Sequence, residues 1–356
     1  MLDPTLPIRS PKLIDYKSLA AIISLLIISR GLELSGIFGR VARGIVRLSG
    51  GSEFKLLSTI AIVVSISSAV IMNDTAMFVF IPLVLTISKI AKIDLPKAAT
   101  SIALAANIGS ALTPIGNPQN IIIWKTHEIP ILEFVRSMLP YVLLWIVLLI
   151  VFIWMGSRGK RLEISPMPKI RTNRSLIFAS TILLIINVAL IEKGYPFIGL
   201  AITVFTFVVI SRDVLLSFDI ALIAVFALVF VDFRELSYLI SSNIELKMSA
   251  VETIILSAGL SQIISNVPAT VMLSQNIPWL PLAVGVNLGG TGVVVGSLAN
   301  FIAVRISGIS LKDFHKYSLP YFLIALIITI TINYKNLIIM LIEFLINWRC
   351  IWLLQN

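Results

Sequence analysis

Asn107-Ile108-Gly109-Ser110-Ala111-Leu112-Thr113-Pro114-Ile115-Gly116-Asn117-Pro118-Gln119-Asn120 decides the fold, together with a later stretch that repeats its pattern, Asn287-Leu288-Gly289-Gly290-Thr291-Gly292 through Gly296-Ser297-Leu298-Ala299-Asn300. Each follows an apolar run and interrupts it. Gly, Pro and Asn end helices through backbone entropy, a missing donor and side-chain competition for the backbone, respectively. Sliding 107–141 onto 287–321 without a gap gives ten identities in 35 positions, and half of these are Asn, Gly or Pro. Shared hydrophobicity therefore does not explain the match. Working outward, Asn73 matches Asn266 at an offset of 193, and Glu33-Leu34-Ser35 matches Glu235-Leu236-Ser237 at 202. The chain is an internal repeat.

Composition supplies the solvent. Of 356 residues, 58% are hydrophobic and 13% charged, whereas a soluble domain carries about 25% charged residues. So few charges cannot cover a water-facing surface, and so many aliphatic residues exclude disorder. The chain reads as an all-α polytopic membrane protein. Broken backbone at membrane depth survives only where it lines a cavity or is buried in protein, so the two interrupted stretches mark the functional region.

The net charge of +10 comes from short basic clusters between apolar runs. That pattern orients membrane helices and is not read as nucleic-acid binding. Cys350 is the single cysteine, which excludes an intrachain disulfide and any multi-cysteine metal site. His127 and His315 are read as solvated loop residues. No His-Glu-x-x-His, Gly-x-Ser-x-Gly or Walker A segment is present, so no enzyme and no cofactor is expected.

Apolar runs at 130–155, 175–191, 196–211, 218–232 and 317–333 are expected to span the membrane, with 14–30 a shorter candidate and 337–353 an extra C-terminal helix. Residues 56–91 form a hairpin interrupted at Asn73-Asp74, and Ser265-Asn266-Val267-Pro268 interrupts the second half in the same way. The expected organisation is a first repeat over 14–155, a basic cytoplasmic linker over 156–174 and a second repeat over 175–333. Two helices precede the second hairpin without counterparts before the first, so the first repeat reads as short by two N-terminal helices. Most basic residues fall on one face in this threading, which makes the repeats inverted in topology, each with a re-entrant hairpin and a broken helix. Inverted repeats with paired breaks belong to secondary transporters.

Asp74 is the acid at the centre of such an apolar stretch, and an intramembrane acid is functional by default. With Asn73, Thr75, Asn107, Asn266 and Asn287 it is read as coupling to Na+ or a proton, Na+ lying near Asn73, Asp74 and Asn107. The alternative for Asp74 is a cap on the following helix. Helix N-termini at each break offer N–H groups and partial positive charge to an anion. Asn73, Thr75, Thr113, Asn117, Gln119, Asn120, Ser265, Asn266, Thr291, Ser297 and Asn300 are candidate neutral donors around it. Arg40, Arg43 and Arg47 fall at helical spacing and read as an interfacial amphipathic helix.

The segments 73–83 and 107–120, with 265–268 and 287–300, resemble the ion transporter superfamily. That group holds the arsenical pump membrane protein, the D-type Na+/H+ antiporter, citrate transporters and the divalent anion–sodium symporters. The resemblance covers about 14–333. It implies two re-entrant hairpins with tips at Asn73-Asp74-Thr75 and Ser265-Asn266-Val267, facing unwound segments 107–120 and 287–300. The dicarboxylate branch reads Ser-Asn-Thr at both tips, and the first tip here is closer to the arsenite permease branch. The function expected is alternating-access transport of a small anion or oxyanion coupled to Na+ or H+, the alternative being a Na+/H+ antiporter without an anion. A lipid bilayer, a homodimer and, for an arsenite-type pump, an ATPase subunit are the partners it implies. The inner or plasma membrane is the expected location.

Overall fold

The computed structural model describes residues 16–70, 72–162, 172–217, 223, 248–274 and 277–355. The expected span 218–232, apart from Ile223, and the Glu235-Leu236-Ser237 match lie outside them, as do 163–171 of the linker. All regular structure among the described residues is helical apart from one isolated antiparallel bridge between Ser52 and Arg161.

The first half runs α1 (Tyr16–Leu34), α2 (Ile37–Leu48), α3 (Glu53–Val70), α4 (Asn73–Ala91), α5 (Leu95–Ser110), α6 (Pro118–Thr126) and α7 (Ile131–Ser157). After α8 (Arg174–Glu192), α9 (Pro196–Ile210) and α10 (Arg212–Leu216), the second half runs α11 (Ala250–Ile264), α12 (Asn266–Leu273), α13 (Trp279–Gly289), a single 3-10 turn (Val294–Gly296), α14 (Leu298–Ser307) and α15 (Leu311–Gln355). The order helix, tip, helix, helix, break, helix, helix thus occurs twice. α6 and α14 start 180 residues apart, as do α7 and α15, while α4 and α12 start 193 apart.

Local chemistry sets these boundaries. Asp94 caps α5 by accepting from the Lys97 N–H, ahead of Pro96 in the first turn. Asn117 caps α6 by accepting from the Asn120 N–H at 2.9 Å, with Pro118 at the first helical position. Asn173 caps α8, and Ser249 with Glu252 forms a capping box on α11. Side-chain caps satisfy N–H groups that a helix start leaves unpaired, and Pro belongs at a first helical position because it lacks one.

Among the described residues five helices are long and apolar enough to cross a membrane: α3, α4, α7, α8 and the Leu311–Tyr334 part of α15. α7 shows how one is divided. Leu139, Leu143, Val147, Val151 and Met155 form an exposed stripe at four-residue spacing, while Met138, Val142, Trp145, Leu149 and Ile153 are buried on the other face. The exposed stripe suits lipid, since hydrocarbon tails accept apolar side chains that water would not. α2 packs Phe38, Ala42 and Val46 inward against α4 and leaves Arg40 and Arg47 exposed, as its arginine spacing predicts.

Two expectations need correction. The run 196–211 forms a 15-residue helix, about 22 Å long, short of the roughly 30 Å hydrocarbon core. Pro196 starts it and the extended Ser211 ends it. The tail 337–353 is not a separate helix, because α15 continues through it for 45 residues. Tyr334-Lys335-Asn336 contains neither Gly nor Pro, so nothing there ends a helix.

Inside, α3 lies along α5 and α11 along α13. Small residues permit the approach. Gly109 of α5 meets the backbone of Ser65, and Gly289 of α13 meets the side chain of Ser261. One end of the first unit is closed by a buried ion pair between Glu53 and Lys97, 6% and 4% exposed. Lys97 Nζ also donates to the Gly156 carbonyl and Ser157 Oγ, both at 3.2 Å, which ties α3 and α5 to the end of α7. Breaking one partner of a buried pair costs about 3–5 kcal/mol, because the other charge is left uncompensated. Glu53→Gln is therefore expected to lower the melting temperature of the detergent-solubilised protein strongly. Adding Lys97→Met should recover most of the loss. Equal melting of the single variant and wild type would contradict the role of the pair.

α1, α8 and α9 form a second group. Gly31 of α1 sits against Ser180 and Phe207, and Asn187 donates to Thr203 Oγ1 at 2.9 Å. Ser29 Oγ donates to the Phe78 carbonyl, so this group also reaches α4.

Candidate functional site

The two broken segments cross and exchange side chains. Asn107 Nδ2 donates to Asn300 Oδ1 at 2.7 Å, and Asn287 Nδ2 donates to Asn120 Oδ1 at 2.6 Å. These bonds are equivalent at the offset of 180. So are the bonds from Asn107 to the Ala103 carbonyl and from Asn287 to the Ala283 carbonyl. Asn120 donates to the Ser110 and Thr113 carbonyls, and Asn300 to their equivalents on Gly290 and Val293. Asn117 donates to Asn287 Oδ1 at 2.8 Å, while its equivalent Ser297 donates to Asn107 Oδ1 at 2.9 Å. The repeat seen in sequence is thus a repeat of hydrogen bonds.

This network consumes the asparagines. Asn107, Asn117, Asn120, Asn287 and Asn300 are all buried, and their amides are committed to one another or to freed carbonyls. A buried amide left without partners is costly, so a saturated set holds its arrangement firmly. Thr113 Oγ1 donates to the Ala69 carbonyl at 2.6 Å, and Thr291 Oγ1 to the Leu288 carbonyl. None of these seven lines the cavity described next. The structure places them behind it, as the frame.

The cavity, of about 610 Å3, lies where the α1, α8 and α9 group faces both tips. Of the residues singled out in the sequence, it brings together Asn73, Asp74, Thr75, Gln119, Ser265, Asn266, Val267 and Ser297. Ala21, Ile22 and Leu25 of α1 and the turn from Ile191 to Pro196 form the opposite wall. Four helix starts border it: Asn73 of α4, Pro118 of α6, Asn266 of α12 and Leu298 of α14. Three of them, α4, α12 and α14, have no side-chain cap. Such starts carry partial positive charge, and at α4 the Asn73 and Asp74 N–H groups already have acceptors.

The tips are built differently. Asn73 is the first residue of α4, rather than part of a gap as the sequence suggested, and Met72 occupies the cap position. The Asn73 N–H donates to the Gly116 carbonyl at 3.0 Å, and its amide donates to Asn107 Oδ1 at 3.0 Å, which pins the first tip to the first break. Asn73 Oδ1 accepts from the Asp74 N–H at 2.9 Å. The Asp74 carboxylate has no hydrogen-bond partner among the described residues and caps nothing; it lies half-buried on the cavity wall. At the second tip Ser265 holds φ 74 and ψ 157, a conformation that costs a residue with a Cβ about 1–3 kcal/mol. The strain turns the chain directly from α11 into α12.

Lys17 of α1 is the one functional candidate the sequence reading passed over. Its exposed side chain lines the same cavity as Asp74. A lone lysine before an apolar run carries no signal until the fold brings α1 to the tips. His315, read as a loop residue, instead belongs to α15, where its Nε2 accepts from the Val294 N–H at 3.0 Å. Among the described residues no group of three or more His, Cys, Asp or Glu side chains is placed to hold a metal ion.

Comparison with known proteins places this architecture. The family model described as citrate transporter matches residues 2–278. Inner membrane protein YbiR of Escherichia coli is 32% identical over 342 residues, covering 91% of this chain and 89% of that protein. The uncharacterized transporter MJ0456 of Methanocaldococcus jannaschii is 37% identical over 246 residues, 67% of each chain. Silicon efflux transporter LSI3 of Oryza sativa subsp. japonica is 34% identical over 133 residues, 36% of this chain and 27% of that protein. With its apolar spanning helices and paired broken segments, the chain is a multi-pass membrane transporter, not an enzyme, and it belongs to the citrate transporter family.

Proposed function

We propose that this protein is a secondary active transporter that carries a small anion or oxyanion through the cavity between the two tips, by alternating access, coupled to Na+ or H+. The observation that carries the reading is the convergence of four helix starts, three of them uncapped, on one cavity beside a single half-buried carboxylate. An anion is a natural ligand for the uncapped starts, with Asn266, Ser297 and Gln119 as neutral donors and Lys17 as a charge at the wall. The coupling cation belongs to Asp74, and Thr75 and Ser265 line the same cavity. Hard cations such as Na+ take oxygen ligands, and a proton would bind the carboxylate directly.

The repeats are inverted in this reading, and the linker 156–174 faces the cytoplasm. That orientation leaves the two tips entering from opposite sides, which lets the cavity open alternately to each. Because a silicon efflux transporter is among the relatives and the family is described as citrate transporter, oxyacids and carboxylates are the first anions to try.

Thiol labelling tests the site without requiring transport. Val271 lines the cavity. In a Cys350→Ser background, Val271→Cys should react with a small maleimide. One member of a panel of arsenite, phosphate, sulfate, citrate, succinate and silicate should slow that reaction, and only with Na+ present or at low pH. Labelling unaffected by every anion but slowed by Na+ alone would favour the antiporter alternative.

A further inference from the structure

We propose that His315 is a positioning residue, which holds the second break in shape through its hydrogen bond from the Val294 N–H, and that it does for repeat two what Pro114 does for repeat one. The inference rests on the reading above only for its functional consequence.

The two breaks share their hydrogen bonds almost throughout, so the places where they differ are informative. At the offset of 180, Val294 corresponds to Pro114, and His315 to Val135. Val294 is buried, starts the 3-10 turn over Val294–Gly296, and donates to His315 Nε2 at 3.0 Å. Pro114 has no N–H to satisfy. Repeat one therefore needs no acceptor at the matching site, and α7 supplies only Val135 there. Repeat two keeps the donor and takes its acceptor from α15. The ring accepts through Nε2 only in its neutral form, with the proton on Nδ1.

A second borrowed side chain supports the same loop. Gln262 of α11 donates to the Gly289 carbonyl at 2.6 Å and accepts from the Val293 N–H at 2.8 Å. In repeat one the residue matching Val293 is Thr113, which bonds the Ala69 carbonyl with its own hydroxyl. Repeat one thus ties its break to α3 with a hydroxyl of its own, whereas repeat two borrows side chains from α11 and α15. What the bonds fix matters to the site. The turn leads straight into Ser297, which donates to Asn107, and Ser297 and Leu298 line the cavity at the start of α14. His315 itself does not line it.

Proline fits where the exchange would place it. Val294 is the first residue of a helical turn, where proline's fixed φ is already correct. Val293 before it has φ −74 and ψ 163, the extended conformation that a following proline requires.

The test is hydrogen exchange across residues 288–300 of the purified full-length chain, with the cavity labelling of Val271→Cys as a second reading. His315→Val is expected to speed exchange in that segment by about tenfold, because the Val294 N–H loses its partner and the turn opens more often. Val294→Pro in the same chain removes the orphaned donor and should return the neighbouring amides to wild-type rates. His315→Gln supplies a side-chain oxygen in place of Nε2 and should exchange as wild type, which serves if the proline variant does not fold. Unchanged exchange in His315→Val would overturn the proposal, and so would a double variant or a His315→Gln chain as fast as His315→Val. Rescue of exchange in a protein that binds no anion would uphold the positioning role and overturn the transport reading instead.

Discussion

Gly109→Ala is expected to prevent the first hairpin from seating on its broken helix and to leave little folded protein. A Cβ at this position would lie on the Ser65 carbonyl oxygen, Cα and carbonyl carbon. Those are backbone atoms in the middle of α3 and cannot rotate away. Ser65 Oγ also donates to the Ala105 carbonyl at 2.9 Å, so moving α3 outward breaks a bond that holds the two helices together. Overpacking in a core costs about 1–3 kcal/mol when side chains can adjust, and here they cannot, so the loss should exceed that range. The equivalent Gly289 gives a graded comparison, since its nearest neighbours are the Ser261 Cβ at 2.5 Å and Oγ at 2.8 Å. Rotation moves only the Oγ and leaves the Cβ in place, so Gly289→Ala also overpacks, but it meets no backbone atom closer than the Ala258 carbonyl oxygen at 3.1 Å and should be the milder variant. Gly259 in α11 has nothing within 4 Å, and Gly259→Ala should melt as wild type or higher, through better helix propensity. Melting temperatures of the three variants in detergent check the order. A Gly109→Ala protein that melts with wild type would contradict the packing of α3 on α5.

Asp74→Asn is expected to reduce gradient-driven transport by at least about 100-fold while leaving the fold intact. A factor of 100 corresponds to about 2.7 kcal/mol, which a full charge in a partly desolvated cavity readily supplies to a bound cation. The fold should not suffer. The carboxylate has no described hydrogen-bond partner that would be left unsatisfied, and the Asp74 N–H keeps its bond to Asn73 Oδ1 in either variant. Asp74→Glu retains the charge but moves it by one methylene, and should keep part of the activity. Uptake in proteoliposomes, normalised to the amount of folded protein, separates these outcomes. Full uptake by Asp74→Asn would remove Asp74 from the coupling step.

The sequence showed the architecture more clearly than the site. Gly109, Gly116, Asn107 and Asn120 recur as Gly289, Gly296, Asn287 and Asn300 because close helix contact and a shared amide network need those residue types at those positions. A pattern dictated by sterics and hydrogen bonding is visible in one dimension. Its meaning was less visible. The asparagines looked like ligands, and the structure spends them on each other. Which polar residues face the cavity and which stand behind it depends on how two breaks cross, and no local pattern encodes that. Lys17 shows the same limit from the other side, since its place follows from where α1 packs. The tail misled through length alone: two apolar runs, 317–333 and 337–353, look like two helices when no breaker separates them.

The central claim is that a gradient drives an anion through the cavity between the tips, and the most direct measurement is accumulation in proteoliposomes under an imposed Na+ or H+ gradient. One anion of the labelling panel should accumulate above its outside concentration, fall to equilibrium when an ionophore collapses the gradient, and fail to accumulate with Asp74→Asn. Proton or Na+ exchange at full rate with no anion present, and no anion accumulated under either gradient, would contradict the account.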